Sequence, residues 1–258
     1  MEAFGKLLDI MDELREKCPW DREQTNESLR KLAIEEVYEL GDAILKNNHE
    51  EIKKELGDIL LHIVFFAKIG EENGHFDIGD IINNLIDKLI YRHPHVFGTA
   101  EAGDSTKVIQ NWEALKLKEK GRSKRVLEGV PIALPALVKA NRIQEKVRGV
   151  GFDWEYKEQV WDKVREELGE LEEEVKAGRT REMELELGDL IFSVVNAARL
   201  YNIDPESALE RTNQKFIRRF NYLEEHTLSK GKSLHGMTLE EMDVYWNEAK
   251  KLEKDSKL

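Results

Sequence analysis

Two groups of carboxylates recur along this chain with the same internal spacing. The first consists of Glu35, Glu36, Glu39, Glu55 and Asp58. The second consists of Glu166, Glu167, Glu170, Glu186 and Asp189, each 131 positions after its counterpart. Residues three apart on a helix share a face, so two packed helices can direct four carboxylates toward one point. Hard cations such as Mg2+ take oxygen ligands of this type and often bind substrate phosphates as well. The repeated spacing therefore predicts a metal site in each half of the chain.

The second part of each group lies in an apolar helical segment. In the second copy a single polar stripe consists of Glu186, Asp189, Ser193 and Asn196, and the first copy has Glu55, Asp58 and His62 in the same phase. We expect these helices to be largely buried, and burying an unpaired carboxylate costs several kcal/mol. Few Lys or Arg residues stand in phase to pair with the stripe, which favours a bound cation. Gly57 and Gly188 are interpreted as points of close helix approach or of local packing.

Basic and aromatic residues also recur, four in each half. They are Lys88, Arg92, Trp112 and Lys116 in the first half, and Lys215, Arg219, Trp246 and Lys250 in the second. A cationic group that faces an acidic metal site is suited to a polyphosphate, and a Trp side chain can stack on a base or simply pack. The alternative is that these cations belong to an ordinary solvated helix face.

Helical periodicity dominates the sequence and predicts an all-α fold of two tandem helical bundles. The predicted helices are 3–17, 25–46, 50–72, 77–94 and 106–119 in the first half, and 131–148, 154–177, 180–201, 205–226 and one opening at Thr238 in the second. We expect an N-terminal repeat at 1–120, a linker and bridging helix at 121–148, and a C-terminal repeat at 149–258. His93 is predicted to lie in a helix-terminal turn rather than to bind a metal.

Composition narrows the possible classes of protein. The formal net charge of −12 argues against long-range attraction to nucleic acid. Cys18 is the only cysteine, so no intramolecular disulfide can form, and we interpret this residue as structural. The sequence has no P-loop and no dinucleotide-binding fingerprint. We found no signal peptide and no apolar stretch long enough to cross a membrane, and we expect a soluble, cytoplasmic protein.

At the carboxylate groups the chain resembles the MazG family of nucleoside triphosphate pyrophosphohydrolases. The segments CPWDREQT (18–25), RHPHVFG (92–98), LEGVPIALPALVKA (127–140) and GFDW (151–154) are also similar. The resemblance implies an all-α homodimer that hydrolyses nucleoside triphosphates to monophosphate and pyrophosphate, with Mg2+ as cofactor and broad base tolerance.

The resemblance also implies roles for the recurring residues. The metal ligands would be Glu167, Glu170, Glu186 and Asp189, with first-copy counterparts Glu36, Glu39, Glu55 and Asp58. Substrate contacts would come from Lys215, Arg219, Trp246 and Lys250, with counterparts Lys88, Arg92, Trp112 and Lys116. Glu166 lies beside the ligands and is our candidate proton acceptor, with Glu35 as its counterpart.

Two other classes of protein fit part of the pattern. A non-catalytic helical protein could use acidic stripes to bind partners, in which case the carboxylates would be exposed and Mg2+ would not affect melting. A di-iron carboxylate bundle needs Glu-x-x-His motifs on paired helices. The only such match, Glu72-x-x-His75, is interrupted by Gly74, which argues against this class.

Overall fold

A computed structural model describes residues 2–99, 115, 125–229 and 233–255 of the 258-residue chain. All regular structure in these residues is helical, with no strand among them, which confirms the predicted all-α class. The chain divides into two compact units, a first unit at residues 1–120 and a second unit at residues 121–258. None of the described helices is both long and apolar enough to cross a bilayer.

The first unit is built on three long helices and three shorter ones. They are α1 (Glu2–Lys17), α2 (Pro19–Glu23), α3 (Asn26–Leu45), α4 (His49–Glu72), α5 (Ile78–Arg92) and α6 (Pro94–Phe97). The predicted helix at 106–119 lies outside the described residues, apart from Leu115. His93 ends α5 and precedes α6, which confirms the helix-terminal turn.

The second unit repeats the arrangement of two long helices joined by a short turn. Its helices are α7 (Ala136–Arg148), α8 (Val160–Ala177), α9 (Thr180–Leu200), α10 (Pro205–Leu228) and α11 (Leu239–Asp255). Helix α7, which the sequence suggested as a bridge, packs against α9 and α10. Two helices are shorter than predicted. Helix α7 begins only after Pro135, whose missing N–H suits the edge of a helix, and α8 begins after a 3-10 turn at Lys157–Gln159.

Side chains at the helix ends explain where the chain turns. Thr25 accepts a hydrogen bond from the Ser28 backbone N–H and opens α3 with a reciprocal capping box. Asn48 lies in the turn between α3 and α4, and its side chain caps α4 by accepting a hydrogen bond from the Glu51 backbone N–H. In the second unit Gly178 ends α8 at a φ of 70°, a left-handed conformation that favours glycine. These turns set α3 beside α4 and α8 beside α9, the pairs that carry the two carboxylate groups.

Each unit has its own apolar interior. In the first unit α1, α3 and α4 contribute the buried side chains Met11, Leu29, Val64, Phe65 and Ile69. In the second unit the buried apolar side chains are Val160, Val195, Ala197, Leu223 and Ala249. These cores hold α3 against α4 and α8 against α9, and so fix the helix faces on which the carboxylates lie.

Candidate metal centre

Three carboxylates of the second unit converge between α8 and α9. Each of Glu167, Glu186 and Asp189 offers an oxygen that lies within 4.8 Å of the others. Glu167 is buried, whereas Asp189 is exposed, so the cluster opens to solvent on one side. Oxygen atoms at this mutual distance are suited to one hard divalent cation, because such ions bind carboxylates at short range and keep other positions for water or phosphate.

Glu170 lies at the edge of the same cluster. Burial raises its pKa, and so do a hydrogen bond with Glu167 and the charges of Glu167 and Glu186, while Lys163 opposes the shift. The part of this pKa shift that comes from the charges of Glu167 and Glu186 reflects repulsion between neighbouring carboxylates. The four predicted ligands of the second unit therefore lie close together, and a cation would relieve their repulsion.

The first unit repeats this arrangement between α3 and α4. Glu36, Glu39 and Glu55 bring ligand atoms within 4.8 Å of one another. The pKa of Glu36 is raised by burial and then by the charges of Asp58 and Glu39, which places Asp58 beside the cluster. Glu55 is almost fully buried, and within the described part of the chain its Oε2 has no hydrogen-bond partner. A buried carboxylate oxygen without a partner is costly, so this residue fits a metal ligand.

One lysine accompanies each cluster, contrary to the expectation that cations would be scarce there. Lys163 Nζ lies 2.7 Å from Glu167 Oε1 and 2.8 Å from Glu166 Oε1. Lys54 Nζ lies 2.8 Å from Glu55 Oε1 in the first unit. Neither lysine recurs in the other half, because Leu32 and Leu185 occupy the corresponding positions at the offset of 131. A comparison of repeated residues therefore missed both lysines. The i, i+4 spacing of Lys163 and Glu167, which places both side chains on one helix face, was the sequence signal for this pair.

The two candidate proton acceptors lie on the exposed flank of the clusters. Glu166 is exposed and pairs with Lys163. Glu35 is exposed and lies 3.4 Å from Lys31. Neither belongs to the converging set of three, so both positions agree with a role outside the direct ligand shell.

A cavity of about 570 Å³ borders the cluster of the second unit. Glu167, Asp189 and Lys163 are among the residues that line it. Its other walls come from α7, α9 and the loop before α8, and they include Gln144, Phe152, Trp154, Phe192 and Asn196. Specific small-molecule sites are of this kind, with mostly apolar walls and a few placed polar groups. In the first unit Glu39 and Glu55 instead border a cleft at the α3–α4 turn whose lining is mainly polar.

The predicted substrate-binding cations of the second unit share a cleft of about 490 Å³ on α10 and α11. Lys215, Arg219 and Lys250 line it. Arg219 donates from Nε and Nη2 to Glu253 Oε2 at 2.8 and 2.7 Å and lies over the Trp246 ring at 5.7 Å. None of the described residues lines both this cleft and the cavity. The structure thus brings these cations together, but in a cleft separate from the acidic cluster of the same chain.

The first-copy counterparts are only partly described. Lys88 is exposed on α5, and Arg92 is buried at the end of that helix. Trp112 and Lys116 lie outside the described residues.

The helices that carry the polar stripes are less buried than predicted. Leu187, Ile191 and Val194 on α9 are each 47% exposed. Their first-unit counterparts on α4, at the same offset of 131 positions, are Leu56, Leu60 and Ile63, which are 53%, 38% and 41% exposed. The close approach proposed at Gly57 and Gly188 is also wrong for the described part of the chain, where a Cβ at either position would meet nothing within 4 Å. Both units therefore leave the same apolar helix face uncovered.

Comparison with known proteins places these features in a family. The family model described as the MazG nucleotide pyrophosphohydrolase domain matches residues 24–97 and 156–223. A "Nucleoside triphosphate pyrophosphohydrolase/pyrophosphatase MazG" of Thermotoga maritima is 49% identical over 251 residues, covering 96% of this chain and 95% of that protein. A "Nucleoside triphosphate pyrophosphohydrolase" of Escherichia coli K12 is 39% identical over 262 residues, covering 99% of this chain and all of that protein. The two matched segments contain α3–α4 and α8–α9, the helix pairs that carry the clusters. The resemblance seen in the sequence is thereby confirmed, and the chain belongs to the MazG family.

Proposed function

We propose that this protein hydrolyses nucleoside triphosphates between the α and β phosphates, releasing a nucleoside monophosphate and pyrophosphate. The observation that carries the proposal is the convergence of Glu167, Glu186 and Asp189, two of which line a cavity large enough for part of a nucleotide. The names of the Thermotoga maritima and Escherichia coli relatives support the same reaction. We further propose Mg2+ as the cofactor and acceptance of all common bases, with the second unit as the main site.

The donor set fits a magnesium ion, because every candidate ligand is a carboxylate oxygen. Glu167, Glu186, Asp189 and Glu170 would hold it in the second unit, and Glu36, Glu39, Glu55 and Asp58 are their counterparts in the first. When bound, the ion would neutralise phosphate charge and lower the pKa of the attacking water.

The remaining groups of the site would bind substrate phosphates or accept a proton. Lys163 faces the cavity beside the cluster and can neutralise a phosphate oxygen. Glu166 is exposed next to this lysine and can accept the proton of the attacking water. Lys215, Arg219 and Lys250 offer the positive charge that a leaving pyrophosphate needs, and we assign that role to their cleft, with Trp246 as the aromatic support of Arg219.

We also propose that two copies of the chain associate through the exposed apolar faces of α4 and α9. The faces occupy the same positions in both units, namely Leu56, Leu60 and Ile63 on α4 and Leu187, Ile191 and Val194 on α9. Apolar helix faces that recur uncovered are typical of surfaces buried on association. A second copy is the expected occupant because a symmetric dimer buries the same patch on both partners.

Product analysis tests the reaction. Wild-type protein with Mg2+ and each of the eight common NTPs and dNTPs is expected to yield monophosphate and pyrophosphate in equal amounts. Removal of the metal by EDTA should stop turnover, and added Mg2+ should restore it. Orthophosphate as the product would contradict the proposed bond, and turnover that survives EDTA would contradict the metal. Absence of turnover with every nucleotide would favour a non-catalytic binding protein.

The association surface is tested by Ile191→Glu. This side chain is half exposed in the chain, so the fold should survive, whereas a carboxylate buried between two copies would be strongly unfavourable. We expect the variant to sediment as a monomer under conditions in which the wild type is a dimer. Arg181→Glu places the same side chain on an exposed position of α9 outside this face and should leave the dimer intact. A monomeric wild type, or a dimeric Ile191→Glu protein, would refute the assigned surface.

A further inference from the structure

We propose that the cavity of the second unit holds the nucleobase and that Gln144 and Asn196 favour bases with an amino group next to an unprotonated ring nitrogen, as in adenine and cytosine. This inference rests on the proposed function, since it names how that site distinguishes its substrates. Two carboxylates of the metal cluster and three aromatic side chains line the same cavity, so phosphates bound at the cluster would place the nucleoside within reach of the aromatic walls.

The aromatic walls are suited to a flat ring. Phe152, Trp154 and Phe192 line the cavity, the last from α9 and the others from the loop before α8. Phe152 is 79% exposed, so its ring is accessible to a ligand. Stacking on aromatic side chains tolerates every base, so these walls agree with turnover of all common nucleotides. Discrimination must come from the polar groups.

The amide of Asn196 is held in one orientation. Arg199 donates to its Oδ1 from Nε at 3.0 Å and from Nη2 at 2.8 Å. Arg199 is itself fixed by Asp153, which accepts from Nη1 at 3.0 Å and also from Nη2. Because a guanidinium only donates, Asn196 must direct its oxygen toward Arg199. Its Nδ2 is left as a donor with no acceptor among the described residues, and the side chain lines the cavity.

Gln144 supplies the complementary acceptor. Its Nε2 donates to the Phe192 carbonyl oxygen at 2.8 Å, which fixes the amide. Its Oε1 is buried, in a residue that is only 4% exposed, and has no hydrogen-bond partner among the residues that the structure describes. Phe192 and Asn196 are one helical turn apart on α9, so the two amides lie on the same wall. A buried acceptor without a partner is costly, and a ligand donor would satisfy it.

One acceptor and one donor together match a particular base edge. Adenine and cytosine present an amino donor beside a ring-nitrogen acceptor, which pairs with Gln144 Oε1 and Asn196 Nδ2. In the same orientation of the ring, uracil places a carbonyl acceptor opposite Gln144 Oε1 and an N–H donor opposite Asn196 Nδ2, so neither amide would be satisfied. The preference should therefore follow the base edge rather than base size.

In the first unit an apolar core side chain occupies the position that corresponds to Asn196. At the offset of 131, Asn196 corresponds to Phe65, which is 2% exposed and packs with Met11 and Leu29 in the core. The repeat thus shows that α4 tolerates a phenyl group where α9 carries an amide. Replacement of Asn196 by Phe is accordingly a substitution that this fold already accommodates in its other half.

The test compares kcat/KM for ATP, CTP, GTP and UTP. In the wild type, ATP and CTP should exceed UTP by about fivefold or more, as an unsatisfied buried polar group implies. Asn196→Asp keeps the acceptor for Arg199 but cannot donate to the base, so the preference should vanish or reverse toward UTP. Asn213→Asp changes an exposed residue of α10 and is the matched control, with the wild-type ranking retained.

Binding measurements distinguish contacts to the base from contacts to the phosphates. Asn196→Phe should weaken binding of an α,β-methylene ATP analogue about tenfold or more by calorimetry, as lost stacking implies, and leave the affinity for inorganic tripolyphosphate unchanged. A wild type that turns over all four nucleotides equally, an unaltered ranking in Asn196→Asp, or equal weakening of both ligands in Asn196→Phe would overturn the base assignment while the hydrolase stands. No turnover by the wild type would instead refute the proposed function.

Discussion

Glu167→Gln is expected to reduce kcat with ATP by about a hundredfold or more, because a catalytic metal contributes several kcal/mol of charge stabilisation. The amide keeps the size of the side chain but removes the negative charge at the centre of the cluster. Glu167 is both a buried member of the converging set and a partner of Lys163, so the substitution also removes one of the two carboxylates that pair with that lysine. Steady-state kinetics across a Mg2+ titration measure the effect, and an increased Mg2+ requirement should accompany the lower rate.

The repeat offers a matched control for this substitution. Glu36 is the counterpart of Glu167 at the offset of 131 and belongs to the converging set of the first unit. Its cluster lies beside a mainly polar cleft instead of the aromatic-walled cavity, so Glu36→Gln should retain most of the activity. If Glu36→Gln were as damaging as Glu167→Gln, the assignment of the main site to the second unit would be wrong. Full activity in Glu167→Gln would reject the metal site itself.

Asp153→Asn is expected to destabilise the second unit by about 3–5 kcal/mol, the typical cost of breaking a buried ion pair from one side. Asp153 accepts two hydrogen bonds from Arg199, whose side chain is almost fully buried between α9 and the loop before α8. The amide would leave the Arg199 charge without its partner in a water-poor site. Urea denaturation at neutral pH measures the loss, and the same variant should also disturb the orientation of Asn196.

The pH dependence of this ion pair has a definite sign. Burial by itself would raise the pKa of Asp153, but hydrogen bonds from Arg199 and the Trp154 backbone, with the charges of Arg199 and Arg148, outweigh it and hold the pKa below its ordinary 3.8. A lowered carboxyl pKa contributes stability that is present above the ordinary value and is lost as the pH falls through the folded value. The difference between wild type and Asp153→Asn should therefore shrink below about pH 4.

An ion pair with an exposed arginine provides the comparison for Asp153. Glu174, in the last turn of α8, accepts from Arg179 Nε and Nη2 at 2.5 and 2.6 Å. The Arg179 side chain is 54% exposed, whereas that of Arg199 is 6% exposed, so water screens the Arg179 charge. Glu174→Gln should therefore change the free energy of unfolding much less than Asp153→Asn. Equal effects of the two variants would show that burial of Arg199 does not set the strength of its pair.

Much of the fold follows from local sequence signals. Thr25, Asn48 and Asp204 open helices where the sequence predicts them, because their side chains accept hydrogen bonds from backbone groups only a few residues away. Recurrence at 131 positions likewise predicted which carboxylates meet, since spacing along a helix determines which side chains share a face. The sequence predicts starts of α7 and α8 that are several residues earlier than those in the structure, because a periodic apolar pattern continues through the turns that precede both helices.

Residue types at fixed spacings were enough to predict the all-α class, the two carboxylate groups and the family. The pairing of Lys163 and Lys54 with the clusters, and the position of the cations of α10 and α11, became visible only in the three-dimensional structure. It alone showed that Gln144 and Asn196 share a cavity with the metal cluster. These facts depend on contacts between helices far apart in the chain, such as that of Gln144 with Phe192, and helical periodicity carries no information about which faces of separate helices meet.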